Sequence, residues 1–216
     1  MEMIQLKNIN KSYGKNTVYQ NFNLDIEKGK ITAILGESGS GKTTLLNILS
    51  NLTEYQGEVI GVEKNVAFVF QKDRLISNLT VGDNLRLVNP NLDVVKTLEE
   101  YSILEKINDY PKTLSGGQAR RLAIARAFSV NAKTVLMDEP FINLDVKLKF
   151  HLIQKIKSKQ KTDNGTIIVV THDVKEAVSI ADRIIVLSDG KISLDVKSVN
   201  EKTENKILGL MINGKI

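Results

Sequence analysis

Apolar and polar residues alternate in two groups near the start of the sequence, at positions 4–6 and 22–26. An alternation with a period of two is typical of a β-strand that buries one of its faces. The turn-forming stretch Ser12–Lys15, which contains Gly14, lies between the two groups. The pattern therefore predicts antiparallel strands joined by turns within the first 30 residues.

Short, mostly apolar runs recur along the rest of the sequence and are candidates for buried strands. They lie at 31–35, 66–70, 134–137, 166–170 and 184–187, and a final strand is expected near 192–196. Helical patterns occur at 42–50, 81–88, 92–101 and 116–130. Strands flanked by helices predict an α/β fold, in which a mainly parallel sheet is covered on both faces. The stretch 80–130 predicts a helical insertion in the middle of that sheet.

The overall composition limits the class of protein. The 216 residues are 42% hydrophobic and 25% charged, which is typical of one soluble globular domain. Because there is no cysteine, a disulfide scaffold, a zinc–thiolate site and a cysteine nucleophile are all excluded. The longest purely apolar run has five residues, whereas a membrane-spanning helix needs about 20. The first ten residues also lack the pattern of a secretory signal, so we expect neither a transmembrane segment nor a signal peptide.

The net charge of +5 includes a cluster of six lysines between Lys147 and Lys161. Such a stripe can contact nucleic acid or anionic lipid. It can equally be the solvated face of a helix, because Leu148, Leu152 and Ile156 recur at four-residue spacing. We favour the solvated helix face, and we assign His151 to the same surface.

The segment Gly36–Thr43 reads GESGSGKT and matches the Walker A phosphate-loop pattern. Its glycines let backbone N–H groups point at phosphate oxygens, and the helix that follows adds its positive end. Lys42 is expected to reach the β- and γ-phosphates, and the Thr43 hydroxyl to bind Mg²⁺. The residues assigned to the nucleotide here are Gly36, Glu37, Ser38, Gly39, Ser40, Gly41, Lys42, Thr43 and Thr44.

Two carboxylates, Asp138 and Glu139, follow the apolar run at 134–137. At the carboxyl end of a parallel strand, Asp138 would stand near the phosphate loop and hold Mg²⁺. Glu139 would lie beside the γ-phosphate, where it can orient or deprotonate an attacking water.

A second potential anion site opens the predicted helix at 116–130. The pentapeptide Leu114–Gln118 reads LSGGQ, so that a serine hydroxyl, two glycines and a helix N-terminus are brought together. The residues assigned to phosphate binding here are Ser115, Gly116, Gly117 and Gln118.

With these motifs in this order, most of the sequence resembles the ATP-binding cassette (ABC) ATPases, and LSGGQ matches their signature. The resemblance implies ATP as substrate and Mg²⁺ as cofactor. Tyr13 matches the aromatic residue that stacks on adenine, and Gln71 matches the glutamine that senses Mg²⁺ and the attacking water. His172 matches the switch histidine at the γ-phosphate. The implied catalytic residues are Glu139, His172, Gln71 and Lys42, and the implied metal site is Thr43, Gln71 and Asp138.

Two departures from the family pattern affect specific positions. Ile142 and Asn143 precede Leu144-Asp145 in the D-loop, where the family commonly has small residues that allow close passage across the dimer. Glu37 stands where proline is frequent, and we expect its side chain to point away from phosphate.

The resemblance also implies a division of the single domain and a set of partners. Residues 1–30 would form an antiparallel β-subdomain, residues 31–71 and 131–216 a RecA-like core, and residues 72–130 a helical signature subdomain. One Walker A and one signature imply a head-to-tail dimer with a second copy of the chain. The chain ends about 20 residues after its last predicted strand, so we expect no added regulatory domain.

The segments Phe70–Leu75 and Leu79–Leu85 look like those of importer ATPases of the nitrate/sulfonate/taurine type, although Ser77-Asn78 replaces the usual Pro-Trp pair. This resemblance implies a peripheral subunit at the cytoplasmic face of the membrane. Membrane permease subunits would dock near Gln71–Leu87, and an extracytoplasmic solute-binding protein would complete the system.

Two alternatives remain open. An exporter or lipoprotein-release system has the same modular plan. A soluble DNA-repair or translation ABC protein is disfavoured, because only 43 residues separate Gln71 from Ser115 and the chain holds one cassette. We expect no nucleic-acid partner, and the resemblance implies that the membrane and binding subunits select the transported substrate.

Overall fold

The computed structural model describes residues 2–200 and 202–212. Its strands are β1 (Met3–Tyr13), β2 (Asn16–Glu27), β3 (Ile31–Gly36), β4 (Gln56–Ile60), β5 (Val66–Val69), β6 (Thr134–Asp138), β7 (Thr166–Thr171), β8 (Arg183–Ser188) and β9 (Lys191–Val196). Its helices are α1 (Lys42–Leu49), α2 (Val81–Arg86), α3 (Val94–Glu100), α4 (Gly116–Ser129), α5 (Val146–Asp163), α6 (Val174–Ile180) and α7 (Thr203–Ile212).

The main sheet has six strands in the order β5-β6-β7-β3-β8-β9. The first five are mutually parallel, and β9 pairs antiparallel with β8 at the edge. Every residue of β3, β6 and β7 is buried, which explains why these strands have mostly apolar rather than alternating sequences. Because parallel strands end at the same edge of a sheet, the residues that follow β3, β6 and β7 come together there.

Apolar side chains fill both faces of this sheet, and successive residues of a strand serve opposite sides. In β7, Ile167 and Val169 belong to a core shared with α4, α5 and α6, whereas Ile168 and Val170 belong to a core shared with α1, β1 and β2. The predicted α/β architecture is therefore confirmed, and both packed faces of the sheet support the strands from which the loops at its carboxyl edge begin.

A second sheet is antiparallel and has the order β2-β1-β4. The predicted strands near the start of the chain are β1 and β2, which pair from Met3↔Glu27 to Tyr13↔Asn16. The third strand, β4, lies outside the predicted span 1–30 and is not predicted by its sequence pattern. Four of its five residues are exposed, so it carries little hydrophobic signal.

Helix α5 contains the lysine cluster. It buries Leu152, Ile153 and Ile156, while Leu148 is half-buried. Three of the lysines are in ion pairs, namely Lys149 with Glu176, Lys155 with Glu100 and Lys159 with Asp163. This arrangement agrees with the solvated helix face that we favoured, and His151 is exposed as expected.

Helices α6 and α7 were not predicted. The C-terminal α7 contacts α6, and its Ile207 is fully buried. Across residues 2–200 and 202–212, no helix has both the length and the apolar character needed to cross a membrane.

Candidate functional site

The loop between β3 and α1 carries the Walker A sequence at the carboxyl edge of the main sheet. Gly41, directly before α1, has a φ of 103°, and a Cβ there would lie 2.8 Å from the Tyr19 hydroxyl. Only glycine suits such a position. The Tyr19 hydroxyl also donates a hydrogen bond of 3.0 Å to the Gly41 carbonyl, so that β2 supports the loop from below.

The ammonium group of Lys42 lies over this loop. It donates hydrogen bonds of 2.8 Å and 2.7 Å to the carbonyls of Gly36 and Glu37. Burial lowers the pKa of Lys42, while the charges of Glu139 and Asp138 act in the opposite direction. Since an ammonium group has three protons, two carbonyl bonds leave one proton for a phosphate oxygen.

Asp138, the last residue of β6, contacts the first turn of α1. The Thr43 hydroxyl donates a hydrogen bond of 2.9 Å to the Asp138 carboxylate, which is almost fully buried. Burial raises the pKa of Asp138, and the charge of Glu139 adds to the effect, against the Thr43 bond and the charges of Lys42 and Arg120. A hydroxyl beside a buried carboxylate is an oxygen donor set of the kind that Mg²⁺ prefers.

Within the described residues, no group of three or more His, Cys, Asp or Glu side chains is placed to hold a metal by itself. The pair Thr43–Asp138 therefore fits a cation that takes its remaining ligands from phosphate and water, as Mg²⁺ does when it binds with a nucleotide.

Glu139 and His172 form a pair across the ends of β6 and β7. The Glu139 carboxylate lies 2.8 Å from Nδ1 of His172. The Glu139 side chain is nearly buried, whereas 66% of the His172 side chain is exposed. The backbone of Glu139 has a φ of 49°, and its N–H donates to the Val170 carbonyl at 2.9 Å. A left-handed backbone at a residue other than glycine is typical of functional sites.

Two adjoining clefts surround these side chains. The first has a volume of about 290 Å³, and the second has a volume of about 530 Å³. The predicted residues that line the first are Tyr13, Ser38, Gly39, Gly41, Lys42, Thr43, Thr44, Gln71, Asp138 and Glu139. The predicted residues that line the second are Gly36, Glu37, Ser38, Lys42, Glu139 and His172. Residues from distant parts of the sequence are thus collected around Lys42.

Ser40 lines neither cleft. Its N–H donates to the Glu37 carbonyl at 3.2 Å, and its hydroxyl is buried beneath the loop without a hydrogen-bond partner. Tyr13 is half exposed at the rim, and the ammonium of Lys11 lies 4.5 Å from the centre of its ring.

Three residues of these clefts were not predicted from sequence. Asn16 and Val18, at the start of β2, line the first cleft, and Met211 of α7 lines the second. No local motif marks them, because they reach the site only through the pairing of β1 with β2 and the packing of α7.

The LSGGQ segment forms the N-terminus of α4. The Ser115 hydroxyl accepts a hydrogen bond from the Gln118 N–H, and the Gln118 side chain accepts one from the Ser115 N–H. This reciprocal pair is a capping box. Ser115 and Gly116 are exposed, and a Cβ on Gly116 would meet no atom within 4 Å. Among the described residues that line the two clefts around Lys42, none belongs to Leu114–Gln118.

The chain is similar to proteins of one known family. The family model described as "ABC transporter" matches residues 19–142. The chain is 39% identical over 196 residues to the aliphatic sulfonates import ATP-binding protein SsuB 2 of Pseudomonas syringae pv. syringae (strain B728a), an alignment that covers 88% of this chain and 71% of that protein. It is 42% identical over 201 residues to SsuB 1 of Paracoccus denitrificans (strain Pd 1222), covering 89% and 82%.

Among solved structures, the fold matches the dimeric post-hydrolysis state of the ATP-binding cassette MJ0796 bound to ADP and Pi. The TM-score is 0.82 at 32% identity, and the match covers 92% of this chain and 99% of that chain. The protein belongs to the ABC transporter family. Within that family it is an ATP-binding cassette, an ATPase subunit, and the predicted family and fold are confirmed.

Proposed function

We propose that this chain is the ATPase subunit of an ABC importer, in which two copies bind two ATP molecules head to tail. The observation that carries the proposal is the separation of the two anion sites within one chain. The Walker A loop, Asp138 and Glu139 share a cleft, while the signature at Ser115 faces outward and lines no part of it. A second copy supplies the signature that the cleft lacks.

In the proposed site, Lys42 and the N–H groups of the loop bind the β- and γ-phosphates. Thr43 and Asp138 hold Mg²⁺ together with Gln71, which lines the same cleft. When bound, the metal neutralises charge on the phosphates as the terminal phosphoryl group is transferred to water. The exposed ring of Tyr13 at the rim offers a surface on which adenine stacks.

Glu139 is the proposed general base. Its carboxylate is nearly buried at the mouth of the cleft and is oriented by Nδ1 of His172. It accepts the proton of the attacking water, and His172, which also lines the second cleft, contacts the γ-phosphate. The left-handed backbone of Glu139 places the carboxylate directly beyond Asp138, so the metal site and the base are adjacent.

We propose that permease subunits dock near the predicted segment Gln71–Leu87, at a groove that is lined by the residues flanking this segment, Phe70 and Val88. It has a volume of about 690 Å³ and is lined by the end of α1, by β5 and by α4. Leu52 and Phe70 line it, and Leu52 is more than half exposed. Leu87 is also more than half exposed, and the next residue, Val88, lines the groove. Exposed apolar side chains of this kind can pack against a helix of a partner protein. The proposed location is the cytoplasmic face of the membrane.

Import is favoured because the relatives at 39% and 42% identity are import ATP-binding proteins. The test reconstitutes the chain with its permease in liposomes and encloses solute-binding protein with its solute in the lumen. We expect ATP hydrolysis to rise several-fold over liposomes that lack the binding protein. An exporter would hydrolyse ATP at the same rate with and without it.

A mixing experiment tests the head-to-tail site. Ser115→Arg puts a long cation where the γ-phosphate of the partner must fit, and Lys42→Ala removes the Walker cation. We expect each variant alone to be inactive and a mixture of the two to recover hydrolysis. A mixed dimer places both lesions at one composite site and leaves the other intact. Normal turnover by Ser115→Arg alone would contradict the arrangement.

A further inference from the structure

Residues 70–80, between β5 and α2, contain Gln71 but no helix or strand. Because this segment is in neither a helix nor a sheet, its backbone N–H and C=O groups need other hydrogen-bond partners. In this chain the partners are side chains of two helices, Asn84 from α2 and two arginines from α4.

Arg120 of α4 makes the contacts nearest to the ATP cleft. Only 2% of its surface is exposed, and its Nη1 donates to the Phe70 carbonyl at 2.7 Å. Its Nη2 donates to the carbonyl of Gln71 itself at 2.6 Å. A planar guanidinium with five fixed donors can hold two successive carbonyls at once, which a single ammonium cannot reproduce.

The ionic partner of Arg120 is less well placed than the carbonyls. Oδ1 of Asp73 lies 3.2 Å from Nη1 but makes no hydrogen bond. Burial lowers the pKa of Arg120 and raises that of Asp73, and the attraction between the two charges opposes both shifts. The hydrogen bonds to the two carbonyls are therefore the well-formed contacts, and they fix where the guanidinium lies.

The rest of the segment is held by other side chains. Arg126 donates to the carbonyls of Asp73 and Arg74, and the buried Asn84 bonds the backbone of Ile76 and Thr80. In the part of the chain that the structure describes, Arg120 is the side chain that hydrogen-bonds the backbone of Gln71.

We propose that Arg120 is a positioning residue for ATP hydrolysis, which holds the backbone of Gln71 so that its side chain faces Mg²⁺ and the attacking water. The inference rests on the proposed role of Gln71 and adds a residue that touches neither nucleotide nor metal. The structural basis is that Gln71 lines the first cleft around Lys42, while its carbonyl accepts a hydrogen bond from Arg120 of α4.

The test is a double-mutant cycle on ATP turnover that combines Arg120→Lys with Gln71→Ala. Arg120→Lys keeps the charge but loses the planar guanidinium that holds both carbonyls at once. We therefore expect kcat to fall about tenfold with KM nearly unchanged. In the Gln71→Ala background the same substitution is expected to change kcat by less than about twofold, since no side chain remains to be positioned.

Arg183→Lys is the matched control. Arg183 of β8 also donates to a backbone carbonyl, that of Asp25, and forms an ion pair with Asp195, and none of these three residues lines the two clefts around Lys42. We expect its turnover to stay within about twofold of wild type. Should Arg120→Lys fail to fold by circular dichroism, Arg120→Gln enters the same cycle, because its neutral amide removes the need to bury a charge.

Three outcomes are distinguishable. A loss of turnover that disappears in the Gln71→Ala background supports the inference. An equal loss in both backgrounds overturns it, because Arg120 would then act on folding or on another part of the site, and the role of Gln71 would stand. If Gln71→Ala alone turns over normally, the proposed role of Gln71 fails and the inference fails with it.

Discussion

At the scale of single residues, Glu139 shows how the site combines a backbone conformation with side-chain chemistry. Its left-handed φ of 49° costs conformational free energy that an extended strand residue would not require. The conformation turns the carboxylate to Nδ1 of His172, 33 positions further along the chain. Two residues that no local pattern connects are therefore in direct contact.

The first prediction concerns this carboxylate. Glu139→Gln keeps the shape of the side chain but removes its ability to accept a proton, so hydrolysis should fall by ~10² to 10⁴ while ATP binding persists. Because the variant binds ATP without hydrolysing it, it should accumulate as an ATP-bound dimer, which gel filtration detects. Glu99→Gln, an exposed substitution on α3, is the control. Turnover close to wild type would remove Glu139 from the mechanism.

At the scale of elements, the phosphate loop depends on its neighbours as well as on its own glycines. Strand β2 reaches beneath the loop through Tyr19, whose hydroxyl is buried against the Gly41 carbonyl. Burial raises the pKa of Tyr19, so this phenol stays protonated and remains a donor at any physiological pH. The antiparallel sheet thus supports the loop and also supplies Tyr13 to its rim.

The second prediction follows from that contact. Tyr19→Phe keeps the ring but removes one of the two donors to the Gly41 carbonyl, which also accepts from the Leu45 N–H at 2.9 Å. The free energy of unfolding should therefore fall by about 1 kcal/mol. Urea unfolding measures the loss. Tyr110→Phe, at an exposed tyrosine, should change stability by much less and controls for removal of a hydroxyl. Equal effects of the two substitutions would contradict a supporting role for Tyr19.

At the scale of the whole molecule, charge is distributed in a way that argues against a nucleic-acid partner. The chain has a net charge of +5, but three of the lysines on α5 are engaged in ion pairs with acidic side chains. Such pairs add little to stability individually. They do neutralise three of the six lysines of the cluster, which would otherwise attract phosphate backbones.

The third prediction is a negative one with a defined measurement. In a mobility-shift titration with duplex DNA and with RNA, we expect no complex at about 200 mM salt and no steep gain in affinity at about 50 mM. The control is the Ser115→Arg variant, which adds a cation elsewhere on the protein and leaves α5 unchanged. A strongly salt-dependent shift with the wild-type chain would revive the soluble nucleic-acid alternative.

Much of the fold and of the candidate site can be predicted from the sequence alone, because the patterns that predict them lie within short segments of the chain. The apolar runs at β3, β6 and β7 predict buried parallel strands, and GESGSGKT predicts a phosphate loop between a strand and a helix. The LSGGQ segment predicts a capped helix, which the structure shows as the capping box of Ser115 and Gln118. In each case, adjacent residues carry both the conformational preference and the chemistry.

Only the tertiary structure decided the remaining features, because they depend on contacts between residues far apart in sequence. Strand β4 joins the antiparallel sheet although its own residues are mostly exposed, so that pairing with β1 rather than hydrophobic pattern places it. Arg120 bonds Gln71 from 49 positions away, and its place in a signature helix gives no hint of that partner. The LSGGQ segment lies outside the two clefts around Lys42 because α4 starts on the exposed surface, which no spacing of motifs along the sequence could show.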